Sequence, residues 1–132
     1  MKILIMGLPG SGKTWLGERL SKHLIIPHWD ADEVRGIYHD WNFSPEGREK
    51  QALRMRKLAE LDPISISSFV CPLSSYRRDF APDKIIWMDT IKEGRYEDTN
   101  KLFETPDEYD LRLTKWIKED QLFKCLDAFN LG

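Results

Sequence analysis

The chain has 132 residues, of which 41% are hydrophobic and 32% charged, with a formal net charge of −2. This predicts one folded domain over residues 1–132 with a real core, and excludes a global basic field for nucleic acid or an anionic membrane. The two cysteines, Cys71 and Cys125, have no CxxC spacing and exclude a disulfide framework or zinc site. No apolar run approaches the ~18 residues of a membrane helix. The opening "MKILIMG" is too short for a signal peptide. The expectation is a cytoplasmic protein with reduced thiols and neither a membrane nor a nucleic-acid partner.

The run 2–6, "KILIM", is continuously apolar and predicts a buried parallel strand. Leu16, Leu20 and Leu24 then mark one face of a helix over 13–24. "IIPHW" (25–29) predicts a second strand ending at Asp30. Residues 30–38, "DADEVRGIY", open with N-cap chemistry and predict a helix. Ser44, Pro45, Glu46 and Glu49 start a longer helix over 44–61. Arg54, Arg56 and Lys57 lie on that helix beside Glu60 and read as a solvated face. "ISISSFV" (64–70) predicts the third strand, 76–80 a helical turn, and "KIIWMDT" (84–90) the fourth strand. A polar, mobile stretch follows from Ile91 to Asp107. The alternation in 109–116 predicts a half-exposed edge strand. Leu122, Cys125, Leu126 and Phe129 give a last helix over 118–129 its apolar face. Strands and helices alternate throughout, which is the α/β pattern.

Residues 7–14, "GLPGSGKT", match G-x-x-x-x-G-K-[ST] between a strand and a helix. Gly7, Leu8, Pro9, Gly10, Ser11 and Gly12 curl the backbone so that its N–H groups face an anion. Lys13 reaches the β- and γ-phosphates, the Thr14 hydroxyl takes Mg²⁺, and the helix dipole assists. The fold expected is that of a P-loop NTPase: a five-stranded, mostly parallel sheet in the order 2-3-1-4-5, flanked by helices. A GTPase needs N-K-x-D, which is absent, and "ISISSFV" lacks the acidic end of a motor's metal-binding strand. The acid must come from "DADEVR" (30–35), at the carboxyl end of the second strand. There Asp32 is placed to take the proton of an attacking hydroxyl or to hold the metal's water shell. Arg35 follows on the same helical face and can clamp an anion.

In order and spacing, "GLPGSGKT", "DADEVR", "FSPEGR" and "SFVCP" resemble the adenylylsulfate kinase family over roughly residues 1–90. The resemblance implies an ATP- and Mg²⁺-dependent enzyme that phosphorylates the 3′-hydroxyl of adenylylsulfate, and it suggests a homodimer. It makes Lys13 and Asp32 the catalytic residues, with Thr14 and Asp32 organising the metal. Substrate contacts are implied for Asp30, for Arg35 and Arg48 on the phosphosulfate, and for Phe43 on the adenine. Gln51 stands where the family has asparagine, and Cys71 where it has serine, in the strand end Phe69, Val70, Cys71, Pro72. Arg77 and Arg78 are approximate counterparts of the arginine in the following turn. The family's lid motif K-G-L-Y is missing from 91–106, where Arg95, Lys101 and Phe103 are the stand-ins expected. Another small-molecule or polynucleotide 5′-kinase, or a non-catalytic nucleotide binder, is the alternative.

Overall fold

A computed structural model describes residues 1–94, 96–127 and 129. Five strands form one sheet: β1 (Lys2–Met6), β2 (His28–Asp30), β3 (Ser65–Ser68), β4 (Lys84–Met88) and β5 (Leu111–Leu113). All pairings are parallel and the order is β2-β3-β1-β4-β5, the order expected. The helices are α1 (Lys13–Leu24), α2 (Ala31–Tyr38), α3 (Pro45–Ala59), α4 (Ser74–Phe80), α5 (Glu97–Leu102) and α6 (Leu122–Asp127), the last preceded by a 3₁₀ turn at Glu119–Gln121.

The central strand explains its own sequence. β1 is covered on both faces, so Ile3, Leu4, Ile5 and Met6 are all fully buried. Its side chains alternate between two cores. Ile3 and Ile5 pack with Leu16 and Leu20 of α1 and with Leu122, Leu126 and Phe129. Leu4 and Met6 pack with Ala52 and Met55 of α3 and with Phe69 and Phe80. The caps read from sequence are in place: Asp30 accepts from Glu33 N at the start of α2, and Ser44 accepts from Gly47 N at the start of α3.

Several boundaries shift for local reasons. α1 ends on Ile25 in the left-handed conformation (φ 57°), with its N–H on Ser21 O. That turn takes residues 25–27 out of the predicted strand 25–29, leaves Ile25 exposed, and starts β2 at His28. β3 is shorter than 64–70 because its partner β2 ends opposite Ser68. β4 stops at Met88 and β5 keeps only Leu111–Leu113 of the predicted 109–116, the three residues in register with Ile86–Met88. The stretch 91–107, read only as polar and mobile, contains α5. The predicted helix 118–129 is a 3₁₀ turn followed by a six-residue α6. The side chain of Cys125 lies outside the described residues. Because all five strands run the same way, their carboxyl ends share one edge, and that edge carries the site.

Candidate active site

A cleft of about 740 Å³ opens along this edge, within the range of small-molecule sites. One end is the phosphate loop. Gly10 (φ 89°) and Gly12 (φ 102°) are left-handed, which lets the loop curl into the start of α1. Lys13 Nζ donates to Leu8 O at 3.1 Å, and Thr90 Oγ1 donates to Ser11 O at 2.7 Å. Pro9, Gly10, Gly12, Lys13 and Thr14 line the cleft. Gly7, Leu8 and Ser11 are buried behind it. A methyl group on Gly7 would meet Met88 O at 2.6 Å, so this glycine serves close packing of loop on sheet.

The two aspartates take different places. β2 ends on Asp30, whose Oδ1 accepts from Thr14 Oγ1 at 2.6 Å and from Ser68 Oγ at 3.1 Å. His28 Nε2 lies 2.8 Å from the same Ser68 Oγ. Burial pushes the His28 imidazole below its ordinary pKa, against the pull of Asp30. Asp32 sits one position into α2, lining the cleft beyond Asp30. Sequence reading paired Asp32 with Thr14 and gave Asp30 to the substrate. It is Asp30 that touches Thr14, because the strand end faces the loop and the first turn of α2 carries Asp32 away. Among the described residues no three His, Cys, Asp or Glu side chains gather into a metal cage. The Thr14 hydroxyl and Asp30 carboxylate are hard oxygen donors that fit Mg²⁺, which takes one or two carboxylates alongside phosphate and water oxygens.

Beyond the aspartates the cleft is lined by Arg35, Phe43, Arg48 and Gln51. Arg35 is buried, and its Nη1 donates to Asp40 O at 2.9 Å and Asn42 O at 3.1 Å. Burial lowers its pKa, yet from so high a starting value the guanidinium stays charged at neutral pH. Arg48 Nε donates to Phe43 O at 2.9 Å. The two guanidiniums lie 4.2 and 5.4 Å from the centre of the Phe43 ring, which is half exposed. Both arginines therefore shape the loop that presents Phe43 as well as charging the wall. Gln51 is buried and has both ends occupied, Nε2 on Ala31 O at 3.1 Å and Oε1 under Arg54 Nη1 at 2.9 Å.

Phe69, Val70, Cys71 and Pro72 form the opposite wall. Cys71 is buried with φ 47°, and burial raises its thiol far above the ordinary range, so it is no nucleophile at neutral pH. Arg77 is buried behind this wall and donates to Cys71 O at 3.0 Å, Pro72 O at 3.3 Å and Glu104 O at 2.5 Å. Arg78 is exposed.

The lid stand-ins are corrected. Lys101 is exposed on α5, 3.3 Å from Glu97, and does not line the cleft. The i,i+4 spacing to Glu97 gives it a nearer partner than any cleft anion. Phe103 turns inward, packing on the second core with Arg77 5.4 Å from its ring centre. Tyr96 and Thr99 line the cleft instead. Arg95 lies outside the described residues. Sequence reading also missed Trp15, Trp41, Ser68, Tyr76 and Trp116, all on the cleft wall. Trp116 follows β5 at the sheet's carboxyl edge and meets Trp15 edge-on at 5.7 Å. Its position after a strand end was the one signal available.

The family model for adenylylsulphate kinase matches residues 1–88. No curated protein matches the sequence. Among solved structures, the Mycobacterium tuberculosis APS kinase CysC in complex with AMPPNP and APS superposes with a TM-score of 0.75 at 20% identity, covering 98% of this chain and 96% of that one. Shikimate kinase from Aquifex aeolicus gives a TM-score of 0.69 at 17% identity, over 100% and 99% of the two chains. A gluconokinase from Sinorhizobium meliloti gives 0.70 at 13%, over 98% and 94%. At these identities the likenesses establish the fold, that of the P-loop kinases, and no described helix is long and apolar enough to cross a membrane. The family match covers two thirds of the sequence, loop, acid pair and arginines included, and the chain belongs to the adenylylsulphate kinase family.

Proposed function

We propose that this chain transfers the γ-phosphoryl group of ATP to the 3′-hydroxyl of adenylylsulfate. The observation that carries the reading is a single cleft in which Lys13 and Thr14 face Asp30, Asp32, Arg35, Phe43 and Arg48. Lys13 and the loop N–H groups hold the β- and γ-phosphates. Thr14 and Asp30 hold the metal side of the phosphates. Mg²⁺ held there would neutralise the negative charge of the transferring phosphoryl group. Asp32 accepts the 3′-hydroxyl proton as the new O–P bond forms and the bond to the β-phosphate oxygen breaks, leaving ADP. Arg35 and Arg48 balance the acceptor's phosphosulfate, and the Phe43 ring takes the flat face of its adenine. There is little covalent chemistry for the protein to perform, so positioning supplies much of the rate.

A second reading, a kinase for a different small hydroxyl acceptor, draws on the absence of K-G-L-Y and on the outward turn of Lys101. Incubating the protein with Mg-ATP and a panel of adenylylsulfate, shikimate, gluconate and nucleosides, with products read by mass spectrometry, separates the two. Phosphoadenylylsulfate as the main product is expected. Product from another acceptor alone replaces the first reading with the second, and nucleotide binding without any product removes both.

A further inference from the structure

We propose that His28, seated in a notch at Gly17, is a positioning residue that holds the carboxylate of Asp30 against Thr14 by way of Ser68. The inference rests on the reading above, in which Thr14 and Asp30 serve the metal side of the nucleotide. It adds His28 and Gly17, which lie outside the motifs, and gives a role to Ser68, the first residue of "SFVCP".

The hydrogen-bond directions are forced by counting protons. Asp30 Oδ1 takes two hydroxyl donors, Thr14 at 2.6 Å and Ser68 at 3.1 Å, while Oδ2 accepts from Glu33 N at 3.2 Å. Ser68 has one proton, and giving it to Asp30 leaves only lone pairs toward the imidazole. His28 must then donate from Nε2 across the 2.8 Å gap. The order is His28 to Ser68 to Asp30, with Thr14 arriving at the same oxygen from α1. Thr14 gives away its proton in this arrangement and keeps its lone pairs for a cation. Ser68 is fully buried, so its hydroxyl has no bulk water to turn to.

Gly17 supplies the room. It lies inside α1, where glycine weakens a helix relative to alanine. A methyl group there would stand 2.4 Å from His28 Nε2 and 2.8 Å from Cε1. The helix gives up local stability at the one place where the ring must enter, which is where a functional requirement overrides propensity.

The test is calorimetric titration of the ATP analogue AMPPNP, once with Mg²⁺ and once with EDTA. In wild type, Mg²⁺ should tighten binding. His28→Ala should reduce that Mg²⁺-dependent gain about 10- to 100-fold, the range for loss of an outer partner of a metal-binding group. Affinity in EDTA should not change. His28→Gln, whose amide offers an N–H of similar reach, should recover most of the gain, and Gly17→Ala should behave like His28→Ala. Thermal melts accompany each variant. If His28→Ala does not fold, Ser68→Ala removes a single hydroxyl and carries the same expectation. An unchanged gain in these variants, or an equal loss in EDTA and Mg²⁺, overturns the relay alone. A wild-type protein with no Mg²⁺-dependent gain overturns the reading beneath it, and the relay with it.

Discussion

The two ends of the cleft are built by different means. At the phosphate end the ligand-facing groups belong to consecutive residues at the β1–α1 junction, and a single hydroxyl from Thr90 pins the loop from behind. At the lid end nothing is consecutive. A six-residue helix is tied down after its last turn by a distant part of the chain, through Arg77 to Glu104 O and Ser74 Oγ to Glu104 Oε2 at 2.9 Å, while before its first turn Gly94 N donates to Asn100 Oδ1 at 2.7 Å. The first end is a local device, and changes there should strike nucleotide or chemistry. The second is a tertiary assembly, and changes there should strike stability and the acceptor while sparing the nucleotide.

The largest effect is expected at the boundary of the two ends. Asp32→Ala should lower kcat about 10²- to 10⁴-fold, the usual worth of a positioned acid–base group, with nucleotide affinity retained. Steady-state kinetics beside calorimetry would check it, and a near wild-type kcat would remove the role given to Asp32. Gly12→Ala should break the phosphate end. Its backbone is left-handed and the new methyl would lie 2.8 Å from the Trp116 ring. We expect a loss of about 1–3 kcal/mol in urea unfolding, together with weakened nucleotide binding.

Arg77→Met should break the lid end instead. It removes the donors to three carbonyls while preserving much of the side-chain volume. A loss of about 1–3 kcal/mol is expected because Cys71 O and Glu104 O lose this donor, whereas Pro72 O keeps the Glu104 N–H at 2.7 Å. The acceptor's KM should rise and nucleotide affinity should stay at the wild-type value. Equal damage to nucleotide binding would dissolve the distinction between the two ends.

The smallest effect concerns the loop that presents Phe43. Arg54 hydrogen-bonds Asp40 at 2.9 Å and holds its carboxyl below the ordinary range. A depressed folded pKa stabilises fully above the unfolded value of ~3.9 and fades as pH falls through the lower folded value. Asp40→Asn should therefore unfold at slightly lower urea than wild type at pH 7, and the difference should vanish in strong acid. A difference that persists there would assign Asp40 a role other than its charge.

What could be read from the sequence follows the same division. The strand 2–6, the phosphate loop, and the caps at Asp30 and Ser44 are local signals, each carried by a few adjacent residues. Arg35, Phe43 and Arg48, which the motif resemblance named for the substrate, line the cleft. The assignment of Asp30 to Thr14 was out of reach, because it depends on where a strand end stops relative to another helix. Phe103 was misread as a cleft residue because its inward turn is set by Arg77, twenty-six positions earlier in the chain. Ile25 was misread as strand because the left-handed turn that closes α1 falls on a β-branched residue, which such positions rarely use. His28 lies in no motif, and it meets Ser68, the first residue of "SFVCP", only through the β2–β3 pairing.

The most direct test is a crystal structure of the protein with AMPPNP, Mg²⁺ and adenylylsulfate. The account predicts an Asp32 oxygen within about 2.6–3.2 Å of the acceptor's 3′-oxygen, the Phe43 ring against its adenine, and Asp30 still on Thr14. An acceptor bound elsewhere, or an Asp32 carboxylate turned into solvent with no hydroxyl in reach, would contradict it.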